Sequence, residues 1–223
     1  MTIGIFTAVD TEAQSFVNAG AVKETDGAFA IYRMPISGHD AVLCCPPTVG
    51  EIAASAACQL LITKYKADVI FNFGVVGALT EKTSLFSTVL VKGVVHYDMD
   101  TSAIDRVPVG KYECFDDVVV ECDKKLINQA LEVVSLPVVT CASADKFVDD
   151  SAQKSFLNKS FGAQICDMES AGVLFTCKFN NVPCLMVKCV SDSLLGGSGE
   201  YEQNSVKAAE GFMSLASAIC AKL

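Results

Sequence analysis

Residues 184–192 read Cys184-Leu185-Met186-Val187-Lys188-Cys189-Val190-Ser191-Asp192. Seven positions in a row are apolar except for Lys188, and a polar pair follows. A strand with one wet face would alternate, so this run describes a strand covered on both faces. Working outward, Val69–Phe73 has the same character and runs into Gly74-Val75-Val76-Gly77, which reads as a glycine loop. Ile3–Ala8, Ser87–Val95, Val138–Ala142 and Gln164–Cys166 add further strands, and Ala28–Met34 pairs with Asp40–Cys45 across Ser37-Gly38. Helical patterns separate them: a helix capped by Asp10 and running towards Asn18, then Glu51–Lys64, Lys124–Val133, Ser151–Phe161, Met168–Phe179 and a closing helix over Tyr201–Leu223. Strands alternating with helices predict an α/β fold with a central sheet flanked by helices. No repeat or linker divides the chain, so residues 1–223 are expected to form a single domain.

Composition narrows the function. Half of the chain is hydrophobic (51%), enough for a large core without staples. Its 17 Lys and Arg against 26 Asp and Glu give a net charge of −9. Nucleic acid is therefore not an expected partner, because phosphate backbones demand clustered cations. Eleven cysteines and two histidines contain no C-x-x-C pair, and most of the thiols sit in apolar surroundings. A metal site is not expected, no cofactor is called for, and the thiols read as core filler in a reducing cytosol. The N-terminal residues lack a charged leader and no 18-residue apolar run occurs, so a soluble, cytoplasmic protein with no membrane partner is expected.

Ligands of α/β sheets collect at the carboxyl ends of strands. Polar residues there are Asp10 and Glu12, then Ser143 and Asp145, then Asp167-Met168-Glu169, and finally Ser191-Asp192, with Lys188 as the one obvious cation. Each carboxylate has a plain structural reading. Glu12 and Glu169 sit in first helical turns, where the dipole favours them, and Asp192 suits a turn. Together they also suit a sugar: an ionised carboxylate accepts hydrogen bonds from a diol, and burial splits carboxyl pKa values into acid and base. Gly74–Gly77 fits neither a dinucleotide fingerprint nor a P-loop.

The ordered motifs carry more. They are Ile3-Gly4-Ile5 ending at Glu12, Thr48-Val49-Gly50 before an alanine-rich helix, and Asn72-Phe73-Gly74-Val75-Val76-Gly77-Ala78-Leu79. Asp98-Met99-Asp100, Ser143-Ala144-Asp145-Lys146-Phe147-Val148, Asp167-Met168-Glu169-Ser170-Ala171 and Val187-Lys188-Cys189-Val190-Ser191-Asp192 follow in order. The chain thereby resembles the 5′-methylthioadenosine/S-adenosylhomocysteine nucleosidases of the purine nucleoside phosphorylase and hydrolase superfamily. That resemblance implies a twisted mixed sheet, partly closed like a barrel, and a homodimer acting on a small purine nucleoside. It implies catalytic roles for Glu12, which activates water, and Asp192, which protonates or hydrogen-bonds purine N7. It implies that Met168 and Glu169 hold the ribose, that Phe147 stacks on the base, that the Val148 backbone bonds it, and that Val9 walls the 5′ substituent. Ser191, Val75 and Lys188 complete the expected substrate-binding set.

The acceptor could be water or phosphate. Phosphate favours arginine forks, and the chain has only Arg33 and Arg106. Phe73 stands where the phosphorylases carry an arginine, and Glu51 at a helix start is expected to repel an anion. Water is the expected acceptor; a phosphorylase using Lys188 and backbone amides, or a homologue that binds without turnover, are the alternatives. Val75 replaces a water-holding serine of the nucleosidases, Lys188 an arginine and Asp167 a glutamate.

Overall fold

The computed structural model describes the backbone of residues 1–223 and every side chain except those of Thr25 and Asp26. In chain order the elements are β1 (Thr2–Phe6), α1 (Asp10–Asn18), β2 (Val22–Asp26), β3 (Phe29–Ile36), β4 (His39–Cys45), α2 (Glu51–Thr63), β5 (Val69–Ala78), β6 (Thr88–His96), α3 (Ser102–Asp105) and β7 (Val120–Glu121). Then come α4 (Lys124–Leu131), β8 (Val138–Ser143), α5 (Ser151–Phe161), β9 (Ile165–Asp167), α6 (Ser170–Phe179), β10 (Cys184–Asp192), α7 (Ser198–Ala209) and α8 (Phe212–Cys220). Among the described residues, no helix is long and apolar enough to cross a membrane.

The run that opened the sequence reading is the hinge of the architecture. All nine residues of β10 are buried. The strand pairs on one side with β5 in parallel and on the other with β6 in antiparallel fashion. β6 continues to β8, β8 to β9, and β9 returns antiparallel to β5, so five strands close on themselves. From β5 the sheet extends through β1 and β4 in parallel and β3 and β2 in antiparallel order. The sheet is therefore mixed and partly barrel-like, as the motifs implied.

Four sequence expectations change. Gly74–Gly77 is not a loop: β5 runs unbroken through Ala78, and its glycines serve clearance rather than turning. A Cβ on Gly74 would stand 3.1 Å from Lys188 Nζ, and one on Gly77 would stand 2.8 Å from Asp192 Oδ2. The closing helix is two helices, broken at Glu210-Gly211, where a poor helix former lets Phe212 turn into the core. β2 escaped the sequence reading because Val22-Lys23-Glu24 is a polar edge strand with only β3 as neighbour. Finally, β8 and β9 run opposite to β5 and β10, so the polar residues do not share one set of carboxyl ends. They meet because Gly77 and Ala78 of β5 cross Cys166 and Ile165 of β9 at the barrel's closure.

Candidate active site

Glu12 lies one turn into α1 and turns its carboxylate back over the helix start. Oε2 accepts from Ala8 N at 2.7 Å and Val9 N at 3.3 Å, while Oε1 accepts from Val75 N at 2.8 Å. The capping reading and the site reading of Glu12 thus coexist: three backbone donors pin a buried carboxylate on the cavity wall. Burial pushes its pKa up, and the Val75 amide, the Lys188 ammonium and the Ala8 and Val9 amides work against that rise. Lys188, from the middle of β10, reaches Asp167 Oδ2 at 2.8 Å and Asn72 Oδ1 at 3.1 Å. Burial works against both charges of that pair, yet it is outweighed: Asp167 stays below the usual carboxylate range and Lys188 above its ordinary value. Asp167 also accepts from Ser170 N and Ser170 Oγ, anchoring the start of α6.

The start of α2 is closed by the protein's own carboxylates. Gly50 N donates to Glu169 Oε1 at 2.9 Å and Glu51 N donates to Asp145 Oδ1 at 2.7 Å. Glu169 is pushed up to about 8, first by burial and then by Asp167 and Glu12. Glu51 does not face an approaching anion as the sequence suggested. Its side chain turns inward to Ser143 and to the Gly172 amide. It can do so because Gly172 has no Cβ, where one would lie 2.4 Å from the Glu51 carbonyl oxygen.

Ser143 Oγ lies 2.5 Å from Glu51 Oε1 and 2.7 Å from Asp167 Oδ1. One hydroxyl hydrogen cannot serve two carboxylates, so one of the two acids carries its own proton. Glu51 is that acid: burial, followed in effect by Asp167 and Glu169, pushes it up to about 8 against the pull of Ser143 and the Gly172 amide. The folded chain thus holds this proton more tightly than the unfolded chain. Its stabilisation is full below about pH 4.5 and is lost as pH rises towards 8. Glu51→Gln mimics the protonated form. The variant should melt with the wild type at pH 5 and above it at pH 8.5, by an amount on the order of a few kcal/mol in stability. Parallel melting curves across that range would refute the assignment.

Asp192 ends β10. Ser191 Oγ donates to its Oδ1 at 2.9 Å, and Lys154 Nζ donates to its Oδ2 at 2.6 Å. The sequence reading named Lys188 as the only cation of the cluster; Lys154 is a second. It comes from α5, and its signal was faint: it shares the inward face with Leu157 at i,i+3.

A cavity of about 370 Å³ opens over these groups. Val9, Glu12, Val75, Phe147, Val148, Met168, Glu169, Ser191 and Asp192 all line it, so nearly the whole expected set converges. Lys188 stands one layer behind, on Asp167. Other lining residues fall outside the expected set, among them Ala8, Val49, Lys146, Tyr201 and Cys166. Tyr201 sets its ring edge-on to Phe147 at 5.6 Å between centroids, and Cys166 lies beside Gly77. Phe73 faces away: it is buried among Phe16, Phe71 and Phe212. The acidic Tyr97–Asp116 stretch carries α3, sets Tyr112 edge-on to Phe175 and stacks Phe115 on it, away from the cavity lining.

A closed five-strand barrel with this carboxylate-ringed cavity defines the class: the chain belongs to the phosphorylase superfamily, whose family model matches residues 2–223. Within it, the chain is similar to the 5′-methylthioadenosine/S-adenosylhomocysteine nucleosidase of Maridesulfovibrio salexigens, 30% identical and covering 94% of each chain. It is also similar to the aminodeoxyfutalosine nucleosidase of Campylobacter jejuni, at 28% identity over 78% of this chain and 75% of that one. Among solved structures, the inhibitor-bound nucleosidase of Helicobacter pylori superposes with a TM-score of 0.93 at 21% identity, covering 100% of this chain and 99% of that one. The last likeness establishes the shared fold.

Proposed function

We propose that the chain hydrolyses the N-glycosidic bond of a 5′-modified purine nucleoside, methylthioadenosine or S-adenosylhomocysteine, and releases adenine. It is an N-glycosyl hydrolase. The observation that carries water over phosphate is the start of α2: Glu169 and Asp145 occupy the Gly50 and Glu51 amides that would otherwise receive an anion. Among the described residues no arginine lines the cavity, which agrees. In this reading Asp192 enters the reaction as the acid: the C1′–N9 bond breaks, its electron pair passes to the purine, and Asp192 gives N7 its proton and returns to the carboxylate held by Lys154 and Ser191. Water attacks C1′ and loses a proton to Glu12. The ribose becomes oxocarbenium-like on the way, and the neighbouring carboxylates stabilise its positive charge. Glu169 takes the ribose hydroxyls beside Met168, Phe147 packs on the base next to the Val148 backbone, and Val9 walls the 5′ group. The Ala8, Val9 and Val75 amides hold the water-side carboxylate in place, and the Lys188 ammonium favours its charged form.

The protein is proposed to work as a homodimer; Ile52 and Ile104 at 82% and 83% exposure and the half-exposed Phe179 offer apolar surface for it. Eleven cysteines, ten of them buried, fit a reducing cytosol. The test is base release from methylthioadenosine, S-adenosylhomocysteine, adenosine and inosine with and without phosphate. Adenine release from the 5′-thio substrates without phosphate is expected, and strict phosphate dependence would overturn the reading. Val75 lines the cavity where the related nucleosidases carry a serine. Val75→Ser adds one hydrogen bond to the water and should raise kcat about five- to tenfold, about 1 kcal/mol. An unchanged or lower kcat would show that the water is held elsewhere.

A further inference from the structure

Burying an ammonium costs several kcal/mol unless its partners compensate. Lys154 is 0% exposed, does not line the cavity, and has no part in the steps above. All three of its N–H bonds are used: Asp192 Oδ2 at 2.6 Å, the Ser193 carbonyl at 2.7 Å and the Gly196 carbonyl at 2.9 Å. One side chain from α5 thus ties the carboxylate at the end of β10 to the turn that follows it. Ser191 Oγ fixes the other carboxylate oxygen, and Glu200 Oε2 accepts from Ser193 N at 2.7 Å to hold the turn from α7. Asp192 is left no freedom to swing.

We propose that Lys154 is a positioning residue for departure of the base: it aims Asp192 at the purine and offsets the charge left on Asp192 when the proton goes. This rests on Asp192 acting at N7. As C1′–N9 breaks, the bond's electron pair moves into the purine and N7 takes the proton, leaving a carboxylate on Asp192 next to an electron-rich ring. The ammonium 2.6 Å behind that carboxylate stabilises it where both side chains are buried. Lys154 therefore matters in proportion to how much the leaving group needs a proton.

The test compares two leaving groups, adenine from methylthioadenosine and p-nitrophenolate from the p-nitrophenyl ribofuranoside, which departs as an anion without protonation. Lys154→Met is expected to lower kcat for methylthioadenosine about 10²-fold, with its KM and the p-nitrophenyl reaction within about threefold of wild type. Asp192→Asn should show the same split, and the double variant should be no slower than Asp192→Asn alone. If Asp192→Asn keeps the split while Lys154→Met slows both substrates equally, Lys154 only supports the fold and the inference falls. If Asp192→Asn itself slows both equally, the reading of Asp192 falls first and carries the inference with it. Melting curves report folding; Lys154→Gln, which keeps donors for the two carbonyls, replaces a Met variant that does not fold. Failure of both to fold would make the lysine purely structural and overturn the proposal.

Discussion

Glu12→Gln is expected to reduce kcat on methylthioadenosine by about 10²–10⁴-fold, the range that removal of a positioned general base produces. The amide cannot take the water's proton. Substrate affinity should change far less, because the cavity walls are untouched. The geometry adds a second consequence. Both Glu12 oxygens accept backbone amides, from Ala8 and Val9 on one side and Val75 on the other. A glutamine must turn its NH₂ towards one of them, donor against donor, at a stability loss on the order of 1–3 kcal/mol. Single-turnover adenine release and thermal melting read the two effects separately. Turnover within about threefold of wild type would remove Glu12 from the general-base role.

Asp192→Asn is the second large effect, about 10²–10⁴-fold in kcat for a purine nucleoside. Asparagine is the cleaner choice for a physical reason. Its carbonyl oxygen can still accept from Lys154, and its NH₂ can donate to Ser191 Oγ, so the turn keeps its ties while N7 loses its proton source. Asp192→Ala would leave the Lys154 ammonium buried with neither charge nor acceptor at that position, a loss of about 3–5 kcal/mol in stability. The Asn variant keeps an acceptor for the ammonium but loses the charge, so it should melt below the wild type, and the Ala variant lower still. Melting of both variants with the wild type would mean that the ion pair holds nothing together.

Much of this was legible in the residues. β1, β5 and β10 announced themselves as apolar runs; Glu12 and Asp192 stood past β1 and at the end of β10, and Glu169 past the short β9. Other features were hidden because they depend on contacts distant in sequence. Lys154 reads as an ordinary charged residue of a polar helix until α5 is laid against the end of β10. Glu51 reads as a helix-start acid, and only the close approach of α2 to Gly172 turns it inward into a protonated partner of Ser143. The glycines of β5 look like a loop because composition cannot distinguish a turn from a strand that must leave room for Lys188 and Asp192. Carboxylates on one rim were expected from strands of one direction, whereas β9 crosses β5 antiparallel to bring them together.

The central claim is that water, not phosphate, takes the ribosyl group. It is tested most directly by running the reaction on methylthioadenosine in H₂¹⁸O with phosphate present and weighing the sugar product at once, before exchange at C1. The account predicts free methylthioribose carrying one ¹⁸O at C1 from the first turnover and no sugar phosphate. Methylthioribose 1-phosphate without ¹⁸O at C1 would contradict it.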